Sequence, residues 1–424
     1  MKTNRLARSA GLFLTTVKTT CLVIVLLTSA RAAYAENFGG PDAVENTIAD
    51  DAASRPSFVE ERLLQPWFDW KQGLQEDTGF SFGLDYSSLY LQSSEDGASG
   101  DDSAASGMLR IFGSWDLIGR GTKNTGAAVW KIEHRHRYTD GSPQGFGFDQ
   151  GYVGLIDPPF SNEGARLTNL YWRQRLNEGK ATIVAGMLDV TDFVDVYALA
   201  SPWTGFMNFA FSTGSAAMFI PNDATLGIAG GTLLTDRIFL IGGIANAYTD
   251  PTEPFDTVDD FFDENEYFTS IELGWTRGQD RIYLDNAHLT LWHVDKSNPA
   301  GTPGGWGAAF NYSLALQDNA LMPFIRGGYA NDGGSLLEKS LSIGLGYNTF
   351  GGRDQLGVAA NWGEPNEDSF GSGLDDQYTL EVFYRFQLTE QLAITPDIQY
   401  LVDPALNPDE DKLWVVGLRA RLAL

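Results

Sequence analysis

From Phe80 to the C-terminus, apolar and polar residues take turns along the chain. Phe80, Phe82, Leu84 and Tyr86 oppose Ser81, Gly83, Asp85 and Ser87, and Leu109, Ile111, Trp115 and Leu117 oppose Met108, Arg110, Ser114 and Asp116. Between Asp376 and Leu388, the residues Tyr378, Leu380, Val382, Tyr384, Phe386 and Leu388 form one apolar face. Thr379, Glu381, Arg385 and Gln387 face the other way, with Phe383 as a mismatch. The last stretch repeats the pattern, with Trp414, Val416, Leu418, Ala420, Leu422 and Leu424 opposite Gly417, Arg419 and Arg421. Mid-strand charges opposite a wholly apolar face are costly inside a two-sheet sandwich but natural against a water-filled lumen. A strand running to the chain end needs a partner for its edge, and closure onto the first strand supplies one. The pattern predicts an all-β chain, a single transmembrane antiparallel β-barrel of about 16 strands with a short N-terminal helix.

Candidate strands lie near 80–92, 107–118, 126–138, 147–156, 166–176, 181–189, 225–233, 237–247, 267–276, 281–294, 305–316, 321–330, 339–349, 355–363, 376–389, 392–401 and 412–424. One of these is surplus, because a single-chain bacterial barrel has an even number. Tight connections (277–280, 317–319, 350–354) alternate with long ones (249–266, 364–375), as expected of two unlike rims. Tyr90, Tyr138, Trp275, Trp292, Trp306, Tyr347, Trp362, Tyr400 and Trp414 lie near strand ends, where interfacial girdles form. The stretch from Asp189 to Ala217 is too long and too aromatic for a plain turn, and is expected to fold into the lumen as a constricting loop.

Composition agrees with many strands and turns: the 424 residues include 47 Gly, 12% aromatics and only 6 Met. No apolar run beyond the N-terminus approaches the roughly 18 residues of a membrane helix. Residues 1–35 read as an export signal, with Lys2, Arg5, Arg8 and Lys18 before the apolar core Cys21 to Leu27 and a small-x-small site at Ala33-Tyr34-Ala35. Cys21, the only cysteine, would leave with it. The signal holds five cations, counting Arg31, and no acids, so the formal charge of the remainder is −26 − 5 = −31. That charge argues against a nucleic-acid partner. The acids gather in loops, at 95–102, 250–266, 364–376 and 403–411.

Residues 36–78 are expected to be a flexible, acidic lead-in followed by a short helix, and 79–424 the barrel. Ser57 with Glu60 makes a capping-box start, and Leu63, Trp67, Trp70 and Leu74 follow helical spacing, with Pro66 in a turn.

The candidate chemistry sits on three consecutive strands. Inward positions carry Arg110 on the first, Lys131, Glu133, Arg135 and Arg137 on the second, and Tyr171, Arg173 and Arg175 on the third. Sequential strands are neighbours in a meander, so these residues build one basic wall. Asp189, Asp192 and Asp195 open the in-folded loop opposite it, giving a transverse field across a narrow passage. Guanidinium donors, carboxylate acceptors and aromatic faces suit the alternating OH and CH surfaces of a sugar. Salt bridges that merely stiffen the lumen are the competing reading. His134 and His136 share a face that should look at lipid, and His288 and His293 lie on opposite faces, so no metal site is expected. No cofactor motif or nucleophile motif is present, and Gly230-Gly231 and Gly242-Gly243 read as barrel bends.

Three regions carry a likeness. The ending (Thr395 to Tyr400, Asn407-Pro408, Gly417 to Arg419), the stretch from Trp67 to Gly79, and the stretch from Tyr171 to Asp195 resemble, in order, the ending, opening and middle of the carbohydrate-selective porin (OprB) family. The resemblance implies an outer-membrane porin, not an enzyme, for passive uptake of small polar solutes such as mono- and oligosaccharides. A general diffusion pore, a barrel enzyme and a secreted carbohydrate-binding β protein are the alternatives. It also implies contact with outer-membrane lipid, and homotrimeric assembly. The C-terminal Leu424 departs from the aromatic with which most outer-membrane barrels end.

Overall fold

The computed structural model describes residues 38–59, 64–222, 225–250 and 252–424. The expected export signal, and the Glu60 and Leu63 positions of the expected helix start, lie outside them. Alternation becomes a ladder of sixteen antiparallel strands. They are β1 (Phe80–Ser93), β2 (Ser103–Ile118), β3 (Gly126–Arg137), β4 (Gly164–Leu176), β5 (Ala181–Leu188), β6 (Thr225–Leu233), β7 (Ile238–Asn246) and β8 (Tyr267–Thr276). The second half comprises β9 (Asn286–Val294), β10 (Gly305–Ser313), β11 (Leu321–Asp332), β12 (Leu337–Thr349), β13 (Asp354–Pro365), β14 (Gln377–Gln387), β15 (Leu392–Val402) and β16 (Lys412–Ala423). Each pairs with its sequence neighbours, and β16 closes onto β1 in the register Asp85↔Ala423 to Ser93↔Val415.

The surplus candidate was 147–156. Its residues form the end of a short helix, Pro143–Asp149, and an irregular stretch with Tyr152 and Val153 buried in the bore. Gly145, Gly147, Gly151 and Gly154 break any strand there, and the Tyr152 hydroxyl accepts from Thr379 while Gln377 bonds both backbone groups of Val153. Thus a second loop, 138–163, also crosses the lumen.

The two faces part as the alternation requires. Ile271, Leu273, Leu289 and Leu291 adjoin one another on β8 and β9 and are each about half exposed on the outer surface, whereas Glu272, His288 and Thr290 are buried inside. Ile271→Arg would place a guanidinium in this belt at a cost of about 2–4 kcal/mol if it lies near the bilayer midplane. Refolding into vesicles should fall accordingly, read as loss of the heat-modifiable folded band. Among the described residues no helix is long and apolar enough to cross a membrane. His134 is exposed on the outer face, and no group of three or more metal-ligating side chains occurs among the described residues. Most of the expected girdle aromatics face outward, but Trp292 is 3% exposed and turns into the lumen, where it packs near Phe268 and Val294.

The Phe383 mismatch has a cause. Its ring lies across Gly357, its directly paired residue on β13. Phe112 over Gly83, Phe239 over Gly274 and Phe324 over Gly344 repeat this pairing. A Cβ on the glycine would meet the ring at 2.1–2.6 Å, so each inward phenylalanine needs its glycine. Within the lead-in expected to be flexible, Val44–Ala52 forms helix α1, docked in the bore. Helix α2, Gln65–Thr78, has Pro66 in its first turn and ends at Gly79, whose φ of 75° provides the left-handed cap. Trp67 and Trp70 of α2 rest edge-on against the outward Phe82, and Lys71 donates to the carbonyl of Leu424 at the β1–β16 seam.

Candidate functional site

The connection after β5 folds inward, as its aromatic content predicts, and its residues are buried almost throughout from Val190 to Phe219. It is fixed to the inner wall from β8 round to β16. The backbone N–H of Asp195 donates to Glu272 (3.0 Å) and its carboxylate accepts from Gly214 N–H (2.5 Å), contacts His288 Nε2 (2.6 Å) and pairs with Arg326. Met207 and Asn208 N–H groups donate to the two oxygens of Glu381 (2.6 and 3.0 Å), Ser342 donates to Ala210 (2.9 Å), and Arg419 donates to Gly205 (2.9 Å). Phe206 stacks among Phe211, Phe324 and Phe383. Burial alone would raise the Asp195 carboxyl, but the Arg326 guanidinium and His288 outweigh it and hold the group below the usual carboxylate range.

The loop leaves a cavity of about 680 Å³ against the wall of β3 and β4. Lys131, Glu133, Arg135 and Arg166 line one side. Asp189, Asp192, Trp203, Phe209 and Phe219 line the other, and Asp42 enters from the N-terminal segment. Lys131 Nζ stands 3.6 Å from both Asp189 and Asp192. Asp189 caps the short turn Val190–Asp192 by accepting from Thr191 N–H, and Asn169 ties both acids to β4. Arg135 donates to Glu133 at 2.8 Å, and Arg166 pairs with Glu163. Burial pushes the Asp42 carboxyl up, and that of Asp192 well above the usual range against the pull of Lys131. Charged groups of both signs thus meet aromatic faces around one volume, an arrangement that binds hydroxyls and ring faces together.

Five of the ten expected constriction residues line this cavity: Lys131, Glu133, Arg135, Asp189 and Asp192. The other five lie elsewhere. Arg110 is buried under Trp203 (4.1 Å from guanidinium to ring) and bonds Asp85 at 2.9 Å. Tyr171 packs beside Phe193 and Val44. Arg173 is neutralised by Glu45 and Asp116, with Arg175 3.6 Å from the same Glu45. Arg137 is exposed at the end of β3 and donates to Asp140. Within the expected basic wall, Glu45 of α1 and Asp116 of β2 thus cover Arg173 and Arg175.

Arg166, Trp203 and Asp42 also line the cavity, and alternation by itself does not mark them. Strict alternation back from Tyr171 and Arg173 turns Arg166 to lipid. A bulge between Lys131 and Ile132 inserts an extra residue on β4 and reverses the phase, so Arg166 faces inward beside Glu133. The spacing of the outward Leu167 and Leu170 by three is the sequence trace of that bulge.

The sequence matches the family described as "Carbohydrate-selective porin, OprB family" over residues 76–320 and 279–424. Among curated protein sequences none matches the chain. The solved structure "High pH structure of Pseudomonas putida OprB" superposes with a TM-score of 0.64 at 16% sequence identity, covering 84% of this chain and 97% of that one. Its low-pH counterpart from the same organism gives 0.51 at 14%, covering 87% and 100%. A mutant of Rh. blastica porin gives 0.51 at 13%, covering 81% and 100%. These identities speak for the fold alone.

Proposed function

Because the chain belongs to the carbohydrate-selective porin (OprB) family, we propose that its barrel conducts small sugars across the outer membrane by passive diffusion through the cavity between β3–β4 and the in-folded loop. The observation that carries this reading is a volume of about 680 Å³, lined by charges of both signs and by aromatic rings, inside a barrel with an apolar outer belt. In this reading Lys131, Arg135 and Arg166 donate to sugar hydroxyls, Asp189 and Asp192 accept from them, and Trp203 offers a ring face. Arg110, Arg137, Tyr171, Arg173 and Arg175 support the wall or rim instead of touching solute. Residues 1–35 act as the export signal. Three barrels side by side is the assembly implied by the family likeness, and chemical cross-linking in native membranes tests it.

Planar-bilayer recording tests the transport reading. Purified protein should give stepwise openings that mono- or oligosaccharides block reversibly. Lys131→Gln should weaken that block roughly tenfold, the loss of one charged hydrogen bond, and shift selectivity toward cations. Openings with no block by any sugar would leave a general diffusion pore and sink the sugar assignment.

A further inference from the structure

The loop after β5 is hydrogen-bonded round the bore from β8 to β16, and on the β1–β7 side it meets the wall through Trp203, over Arg110, and Phe193, beside Tyr171. There the N-terminal segment lies across the lumen. Phe38 packs on Gly231 of β6 and joins the cluster of Phe239 and Ile241, and Gly40 N–H donates to the Asp192 carbonyl at 2.7 Å. Val44 sits among Phe112, Ala127 and Val129, and Glu45 pairs with Arg173. At the far end Asp51 accepts two bonds from Arg421, each 2.8 Å, and Phe58 and Val59 N–H groups donate to Gln387 and Leu388 carbonyls beside the β14–β15 turn.

The chemistry of this docking is one-sided. Residues 38–55 hold four acids, Asp42, Glu45, Asp50 and Asp51, and one cation, Arg55. Two of the acids meet arginines of the wall, Asp50 pairs with Arg55, and Asp42 accepts from Ser201 Oγ at 2.6 Å while lining the cavity. Two further cavities that the segment lines, one at Phe38 and Glu45 and one at Asp50 and Asp51, hold about 20 Å³ each, against about 680 Å³ for the cavity at Asp42. A segment tied to its wall by ion pairs as well as by Phe38 and Val44 is one that charge removal loosens while the strand ladder stays intact.

We propose that residues 38–55 form a luminal plug that sets the conducting cross-section on the turn-rim side of the cavity and lends Asp42 to the solute path as a specificity-determining acceptor. Glu45 and Asp51 are its releasable clamps. This rests on the barrel being a solute pore.

The test is single-channel recording of the exported full chain and three variants. E45Q/D51N should raise unit conductance at least twofold, or add excursions to a larger level. Asp42→Asn should weaken sugar block about tenfold. Adding D42C/S201C, whose parent side chains touch, to E45Q/D51N should restore the lower level when oxidised and return the higher one on reduction, with thiol titration confirming the bond. Folded E45Q/D51N protein with native conductance, or a confirmed disulfide that leaves its conductance unchanged, overturns the plug. If E45Q/D51N does not assemble, the single variant E45Q decides by the same rise or its absence. Unchanged levels with intact sugar block sink the plug only. No openings in any form would remove the pore reading and the plug together.

Discussion

Arg326→Ala should convert the channel from a stable, sugar-blocked conductance into a larger and noisier one. Arg326 is fully buried, lies over the Tyr197 ring (4.3 Å), donates to Ser215 Oγ (2.9 Å) and pairs with Asp195. It is the barrel's main grip on the first half of the in-folded loop. Removing one partner of a buried pair typically costs about 3–5 kcal/mol, because the other charge is left without compensation. Here that charge is Asp195, which also organises Gly214 and His288. The strand ladder does not run through this pair, so the loss falls on the loop. Conductance, current noise and hydrogen exchange of residues 189–222 read it directly, and an unchanged open level with native sugar block would contradict it. Arg326→Lys keeps the charge without the forked donor and should lie between. Acid acts on the same anchor with a definite sign. The Asp195 carboxyl is held below its ordinary value, so its contribution is complete above the unfolded carboxylate range. It is lost only as pH falls through the depressed folded value, and mild acidification should leave the loop in place.

Asp85→Ala should instead damage closure of the barrel. Asp85 on β1 accepts from Arg110 on β2 (2.9 Å) and from Arg421 on β16 (2.7 and 3.0 Å), with all three side chains buried. One carboxylate therefore bridges the strands on both sides of β1, including the seam where the last strand meets the first. Its removal strands two guanidiniums, and Asp51 can still meet only Arg421. A loss of about 3–5 kcal/mol, falling on β1 pairing, should lower the unfolding temperature and the yield of heat-modifiable folded protein. Asp85→Asn, which keeps acceptor and shape, should lose less. A fully folded Asp85→Ala barrel of native stability would show that backbone pairing alone holds the seam.

The site was half legible in the residues. Lys131, Glu133, Arg135, Asp189 and Asp192 follow from alternation on β3 and from the aromatic loop, and they do line the cavity. Arg173 and Arg175 also occupy the inner face their spacing assigns, yet Glu45 reaches them from well outside the barrel sequence. Arg166 escaped because a single bulge reversed its phase. The surplus strand at 147–156 and the supposedly flexible lead-in escaped for a shared reason: each is ordered by the lumen wall, not by its own neighbours.

What the amino-acid order determined by itself is the wall. Side chains in a strand alternate with a period of two, lipid accepts only one of the two faces, and a backbone without water must pair every edge, so strand positions, facing and closure follow from local pattern. What only the tertiary structure decided is the filling of the bore. Which acid meets which arginine, and how much free volume remains, depends on contacts between segments hundreds of residues apart, such as Asp51 with Arg421 or Asn208 with Gln399. Such pairings leave no periodic trace along the chain, because their energy comes from burial and charge complementarity in a space that exists only after the barrel has closed.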